Sequence, residues 1–417
     1  MKEYFIKRRE KLIATLPDGC VALLFSGKFK TMSNDLFYPF VVDKNFYYLT
    51  GINEDNCIYM LVKGESSYKE LFFTEERSKE KEKWIGERLK PSQITSISGL
   101  ENVYSLNDFD RVLQSYLKAD KDSIYGGIDS VYFNITKKNV EYYETVDEMY
   151  YKKIKDEYPN IFTRNLHNNI SKLRLIKDDL EIGSIIKAIS ITKDGIYEMM
   201  KNARKCNYEY EVEAYYDFVL KSNNTIPSFK TICASGINST ILHYEENNSE
   251  ISDDSLILCD FGSLNNNYAS DISRTFPKTG KFSDLQKKIY NIVLDTNKAC
   301  IAFLKPGVSR LDYETLARDM LAKGLLDLGI IKEKDDIDKY YYHSVGHMLG
   351  LDVHDVGKFE EFVPGMVVTC EPGLYIPELK IGVRIEDDIL ITKDGSINLS
   401  KDIIKEICDI EALMCSK

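Results

Sequence analysis

The spacing of apolar residues changes character near the middle of this 417-residue chain. Between Gly19 and Gly126, short apolar runs alternate with polar, charged stretches. Examples are Val21-Ala-Leu-Leu-Phe25, Phe46-Tyr-Tyr-Leu49, Ile58-Tyr-Met-Leu-Val62 and Glu70-Leu-Phe-Phe73, with helical spacing over Asp108 to Leu117. Strands and helices in alternation predict an α/β domain in which helices wrap a sheet. A run of four or five apolar residues is too short to separate a strand from a buried helical turn, so the individual runs stay open.

Past Lys172 the rhythm becomes helical. Leu180 to Ala203 and Tyr208 to Lys221 read as consecutive amphipathic helices, followed by strand-like runs with Gly and Asn turns from Thr231 to Phe276. A second helical pair, Ser283 to Phe303 and Leu311 to Leu328, precedes further strand-like segments up to Ile391. Helix, helix, strands, stated twice, hints at an internal duplication carried by element order rather than residue identity. A chain this long exceeds what one core fills. The change of texture places a boundary between Ser171 and Lys177, giving domains 1–172 and 173–417.

Composition narrows the class. With 43% hydrophobic and 29% charged residues the chain is ordinary and globular. A net charge of −11 without a basic stripe argues against nucleic acid or an anionic membrane as partner. The start, Met1-Lys-Glu-Tyr-Phe-Ile-Lys-Arg-Arg-Glu10, lacks the apolar core of a secretory signal, and no apolar stretch approaches a membrane span. Nine cysteines without a CxxC pair read as reduced thiols, so a cytoplasmic location is expected.

Acidic residues inside apolar β runs carry the chemistry. Asp260 ends Ser255-Leu-Ile-Leu-Cys-Asp260 and Asp271 opens Asp271-Ile-Ser-Arg-Thr-Phe276, on either side of Asn265-Asn-Asn267. Asn tolerates the positive φ of a tight hairpin, and with Asn265-Asn266 as the turn the two aspartates face one another, barring a bulge. Glu371 and Glu386 are likewise symmetric about Glu378-Leu379, although Pro372 interrupts the ladder. Carboxylates held opposite repel unless a cation lies between them. Three of the five histidines, His343, His347 and His354, fall between the two acidic pairs; His243 precedes them, and His167, without a motif, reads as a surface residue. A lone strand Asp is usually solvated, but several charges inside apolar runs cost several kcal/mol each unless they share a ligand. Mostly oxygen donors with one imidazole suit Mn²⁺, Zn²⁺, Co²⁺ or Fe²⁺ better than a structural zinc site, which prefers thiolates. Cys259 and Cys370 each precede an acidic candidate by one residue, and alternation turns them into packing.

Taken with their contexts these residues resemble the ligand set of the pita-bread metallopeptidases. They are Asp260, Asp271 in Ser-Asp-Ile-Ser-Arg-Thr-Phe, His347 in Gly-His-Met-Leu-Gly-Leu-Asp-Val-His-Asp, Glu371 in Thr-Cys-Glu-Pro-Gly-Leu-Tyr, and Glu386 in Gly-Val-Arg-Ile-Glu-Asp-Asp. The first half is similar to the N-terminal domain of bacterial-type Xaa-Pro aminopeptidases through Tyr38-Pro-Phe, Phe46-Tyr-Tyr-Leu-Thr-Gly51 and Trp84-Ile-Gly-Glu-Arg. The junction Leu173-Arg-Leu-Ile-Lys-Asp-Asp-Leu-Glu-Ile182 extends the likeness. The resemblance implies a two-domain α/β (α+β) architecture, with a creatinase-like α/β domain over 1–172 and a pita-bread catalytic domain over 173–417. It sets aside methionine aminopeptidase, which lacks such a first domain, and creatinase, which has lost the ligands.

By that resemblance the chain hydrolyses the N-terminal Xaa-Pro bond using two divalent ions, Mn²⁺ first, with Zn²⁺, Co²⁺ or Fe²⁺ as alternatives. Asp260 chelates one ion, His347 and Glu371 hold the other, and Asp271 and Glu386 bridge them. A water shared by two ions loses a proton near neutral pH, which supplies a bridging hydroxide nucleophile. Glu371 is the implied general base, passing its proton to the leaving proline nitrogen. His354 would stabilise the oxyanion, His243 position the substrate, and Arg384 assist proton transfer. Val353 and Tyr375 resemble proline-pocket wall, and His343 supports a ligand or touches substrate. Asp35 and Trp84 are candidates for closing a neighbouring subunit's site, which implies a homodimer or homotetramer, although a single Trp is more often core. The implied partner is a peptide with proline second, a tertiary amide without an N–H. Prolidase, limited to dipeptides, is the near alternative. A non-catalytic binding module would have lost ligands that are all present here.

Overall fold

A computed structural model describes residues 1–118, 125–136 and 144–416. The chain divides into two compact units, Met1–Arg174 and Leu175–Lys417.

The first unit is built on a six-stranded mixed sheet. From edge to edge its strands are Val103–Ser105, Tyr68–Thr74, Ile58–Lys63, Cys20–Phe25, Ser130–Phe133 and Phe162–Asn165. Cys20–Phe25 is central and buried at every position, as its unbroken apolar run requires when both sheet faces are covered. Alternation splits the cover between the faces. Val21, Leu23, Phe25 and Phe73 pack with Phe109, Leu113 and Leu117 of the helix Phe109–Leu117. Phe72, pointing the other way, meets Phe46 with ring centroids 6.0 Å apart. Three of the four open runs are strands, and the fourth is not. Lys44–Thr50 is a helix, because the Asp43 side chain accepts from Phe46 N and Gly51 closes the far end at φ 69°. Trp84 is not core: its side chain is 89% exposed, and Asp35 is exposed as well. His167 is only half-buried, with its ring nitrogens near Asn45 Nδ2 and Ser171 Oγ, both at 3.2 Å.

The second unit repeats helix pair then strands. Asp179–Asn202 and Glu209–Ser222 precede a three-stranded sheet of Ile232–Ser235, Leu256–Phe261 and Ile272–Pro277. Asp284–Phe303 and Arg310–Asp327 precede a second such sheet of Val367–Cys370, Asp387–Ile391 and Ser396–Asn398. Short two-stranded ladders extend each half, Leu264–Asn265 with Tyr268–Ala269 and Gly373–Ile376 with Ile381–Arg384. Helix starts follow their caps: Asp178, Ser283 and Ser309 each accept from a backbone N–H of the first turn. No described helix is long and apolar enough to cross a membrane. All nine cysteines are free.

Gly262 lets the first hairpin of this unit bend between its two ladder segments. A Cβ there would lie 1.8 Å from Ser270 O and 2.3 Å from Ser228 Oγ. Gly262→Ala is therefore expected to cost about 2 kcal/mol or more, read as a lower denaturation midpoint. An unchanged midpoint would show that the backbone there is slack.

Candidate metal centre

Turn chemistry sets the first half of the site. Asn266 and Asn267 adopt φ of 49° and 64°. The two-residue turn is thus Asn266-Asn267, one residue later than the sequence reading, and Leu264 pairs with Ala269. In that register Asp260 faces Ser273 rather than Asp271. Asp271 sits diagonally, two positions before Ser273, and both aspartates line one cavity. The second half follows the expected symmetry. Cys370 pairs with Asp387 and Gly373 with Arg384, so Glu371 and Glu386 occupy mirror positions where Pro372 breaks the ladder. The link is a 3₁₀ turn, Pro377–Leu379, closed by Lys380 at φ 53°.

The histidine segment runs alongside Val367–Cys370 through backbone bonds. Leu349 N donates to Val367 O at 3.0 Å, Thr369 N to His347 O at 2.9 Å, and Glu371 N to Val345 O at 2.8 Å. Gly346 permits this approach, since a Cβ there would lie 2.1 Å from Thr369 O. As a result Asp271, His347 and Glu386 present donor atoms all within 4.8 Å of one another. His347 Nε2 is 3.3 Å from Asp271 Oδ2 and 3.4 Å from Glu371 Oε1. Its Nδ1–H donates to Met348 O at 3.0 Å, which leaves Nε2 as the open donor atom. Asp260 gives Oδ2 to Arg384 at 2.7 Å and keeps Oδ1 buried without a hydrogen-bond partner.

A second layer fixes these groups. Ser273 Oγ donates to Glu386 Oε2 at 2.7 Å and accepts from Arg384 Nε at 2.8 Å. Arg384 Nη1 donates to Tyr375 Oη at 2.9 Å, and that hydroxyl lies 2.8 Å from His343 Nε2. Tyr375 is therefore fully buried behind His343 and Arg384 and does not line the cavity. Arg274, also buried, donates to Asp387 Oδ1 at 2.8 Å and to Glu386 O at 2.6 Å. Burial opposes ionisation of Asp387, yet Arg274 and Lys405 hold it at about 2.

The ligand candidates behave oppositely. Burial, then repulsion among themselves, pushes Asp271 and Glu386 well above the ordinary carboxylate range, and burial raises Glu371. Burial, followed by Arg384, lowers His343 to about 4, so it is neutral near pH 7. Four carboxylates and one imidazole, without a thiolate and with an orphaned Asp260 oxygen, fit hard to borderline divalent cations.

The cavity over these groups has a volume of about 500 Å³. His243, His343, Val353, His354 and Arg384 line it together with all five ligand candidates. His243 and His354 are exposed, and the His354 ring lies 4.0 Å from that of His347. Phe229, Lys230, Glu245 and Arg310 line it too. Sequence reasoning missed these four, which sit in loops or at a helix start and belong to no motif.

Comparison with known proteins accords with this geometry. Residues 183–393 match Metallopeptidase family M24, and residues 5–125 match the aminopeptidase P N-terminal domain. The Haemophilus influenzae Xaa-Pro aminopeptidase is 36% identical, over 99% of this chain and 97% of that protein. The Escherichia coli Xaa-Pro aminopeptidase is 32% identical over 99% and 98%. A solved Escherichia coli aminopeptidase P structure superposes with a TM-score of 0.90 at 32% identity, covering 99% of this chain and 98% of that one. The chain belongs to metallopeptidase family M24, among the aminopeptidases P. It is a hydrolase, a metal-dependent aminopeptidase, and divalent ions are the cofactor its family implies.

Two outcomes follow. Raised carboxylate pKa values mean that the metal-free fold binds more protons than the unfolded chain. The contribution of these three groups, Asp271, Glu371 and Glu386, to its stability is then greatest at and below the ordinary carboxylate range, about pH 4, and falls as pH rises through the raised values. Metal should offset this loss, so the upward shift in melting temperature on adding Mn²⁺ is expected to grow with rising pH. A shift independent of pH would contradict the electrostatic account. The His354 loop supplies the other outcome. Lys177 Nζ lies 2.9 Å from Asp355 Oδ2 with both side chains buried, and Asp355 N donates to Met348 O at 2.8 Å. Lys177→Met leaves a buried carboxylate and should cost about 3–5 kcal/mol, most of it recovered in Lys177→Met/Asp355→Leu. Simple additivity of the two changes in a denaturation cycle would refute the coupling.

Proposed function

We propose that this chain removes the N-terminal residue from peptides with proline in second place, using two divalent ions, with Mn²⁺ first. The supporting observation is the convergence of Asp260, Asp271, His347, Glu371 and Glu386 under a cavity also lined by His243, Val353 and His354. In this reading Asp260, Asp271, His347, Glu371 and Glu386 would hold the ions, Asp260 serving one, His347 and Glu371 the other, and Asp271 and Glu386 being shared. Ions bound there would supply Lewis acidity, polarising the scissile carbonyl and acidifying the attacking water.

The protein's own groups do the rest. Glu371 takes the proton of the attacking water and passes it to the proline nitrogen. Thr369 Oγ1, 3.3 Å from Glu371 Oε1, steadies that carboxylate. His354 donates to the oxygen that gains charge, and His243 orients the peptide. Val353 offers an apolar wall to the ring. Arg384, tied to Asp260 and Tyr375, keeps the acidic cluster compact, and Tyr375 holds His343 and Arg384 from behind. Proline selects such a site because an X-Pro amide has no N–H to give an ordinary subsite. A cytoplasmic homodimer or homotetramer, with Asp35 and Trp84 reaching a neighbouring subunit's site, completes the proposal.

The test compares an Xaa-Pro dipeptide, an Xaa-Pro-Yaa tripeptide and an Xaa-Ala-Yaa control with the Mn²⁺-loaded protein. Release of the first residue from the tripeptide but not the control is expected. Cleavage of the dipeptide alone would make the enzyme a prolidase, and equal cleavage of the control would remove the proline claim. His354→Ala should lower kcat by about 100-fold with bound metal retained.

A further inference from the structure

Among the described residues lining the cavity, three carry fixed positive charge: Lys230, Arg310 and Arg384. Two are committed. Arg384 is buried against Asp260, Ser273 and Tyr375, and Lys230 Nζ lies 3.3 Å from Glu245 Oε2. Arg310 differs. It opens the helix Arg310–Asp327 with an exposed side chain, and its guanidinium has no hydrogen-bond or ion-pair partner among the described residues. Its backbone is nevertheless fixed, because Arg310 N donates to Glu360 O at 2.9 Å and Ser309 bridges to Glu361. A smaller hollow that Arg310 shares with Gly346 and His347 places it beside the ligand-bearing segment.

An uncommitted guanidinium on the wall of an acidic cavity asks for an anion from the substrate. A peptide whose amino end lies towards the carboxylates has one such group always available when it is short, its terminal carboxylate. The planar fork of arginine matches a carboxylate in two parallel hydrogen bonds, which a lysine cannot reproduce. A cavity of about 500 Å³ is the size that takes a ligand of a few residues.

We propose that Arg310 is a specificity-determining residue that binds a substrate carboxylate, so that the enzyme favours short Xaa-Pro peptides with a free C-terminus. This rests on the aminopeptidase reading above. The contact is uniform binding, made equally before and during bond cleavage, so it acts on KM and leaves kcat alone.

The Mn²⁺-loaded wild type, Arg310→Met and Arg310→Lys are assayed on Xaa-Pro-Ala, its C-terminal amide, and amidated Xaa-Pro-Asp. Amidation of Xaa-Pro-Ala is expected to raise the wild-type KM by about three- to tenfold, with kcat unchanged. Arg310→Met should raise KM for the free acid by the same factor and be indifferent to amidation, with Arg310→Lys between. If amidated Xaa-Pro-Asp regains the low KM, the site reads any nearby carboxylate; if it does not, the site reads the chain terminus. Wild type indifferent to amidation, or Arg310→Met weakening acid and amide equally, overturns the assignment while leaving the aminopeptidase intact. Failure of wild type to cleave any Xaa-Pro peptide would instead overturn the activity on which it rests.

Discussion

Repulsion among buried carboxylates is the constraint around which the second unit is organised. Asp260, Asp271, Glu371 and Glu386 are brought to one cavity by two hairpins; among the described residues Arg384 pairs with Asp260, and the His347 imidazole lies within 3.4 Å of Asp271 and Glu371. An arrangement of that kind is unfavourable in isolation, because each ionised acid raises the cost of the next. Protonation or bound cations relieve that repulsion, and the surrounding layer keeps the acids in place. Ser273, Thr369 and Arg384 hold individual oxygens, while Arg274 fixes the backbone carrying Glu386.

Much of this was legible in the sequence, for reasons specific to particular residues. Acids at Asp260, Asp271, Glu371 and Glu386 interrupt apolar strands, so they stand out against period-two patterning. The Glu371/Glu386 symmetry held because the ladder stays in phase on both sides of Pro372. The Asp260/Asp271 register did not, because three consecutive asparagines offer two possible turns and only the later one is used. Phe46 to Leu49 illustrates a different limit: its helix is decided by Asp43 and Gly51, outside the apolar run itself.

What stayed invisible depends on distance along the chain. Lys177 and Asp355 are 178 positions apart and meet as a buried pair. Tyr375 looked like a pocket wall from its motif, yet it stands one layer back, joining His343 to Arg384. Arg310, Lys230, Glu245 and Phe229 carry no motif and reach the cavity only through the tertiary arrangement. Local pattern identifies groups that are costly where they stand. It says little about groups that are comfortable in isolation and matter only through their neighbours.

The orphaned Asp260 oxygen and the raised carboxylates bear on how such a scaffold would drift. Replacing Asp271 or Glu386 by a neutral residue relieves repulsion in the metal-free fold, so at those two positions loss of catalysis and gain of stability lie in the same direction. In a lineage freed from the need to hydrolyse peptides, these positions would be the first to erode.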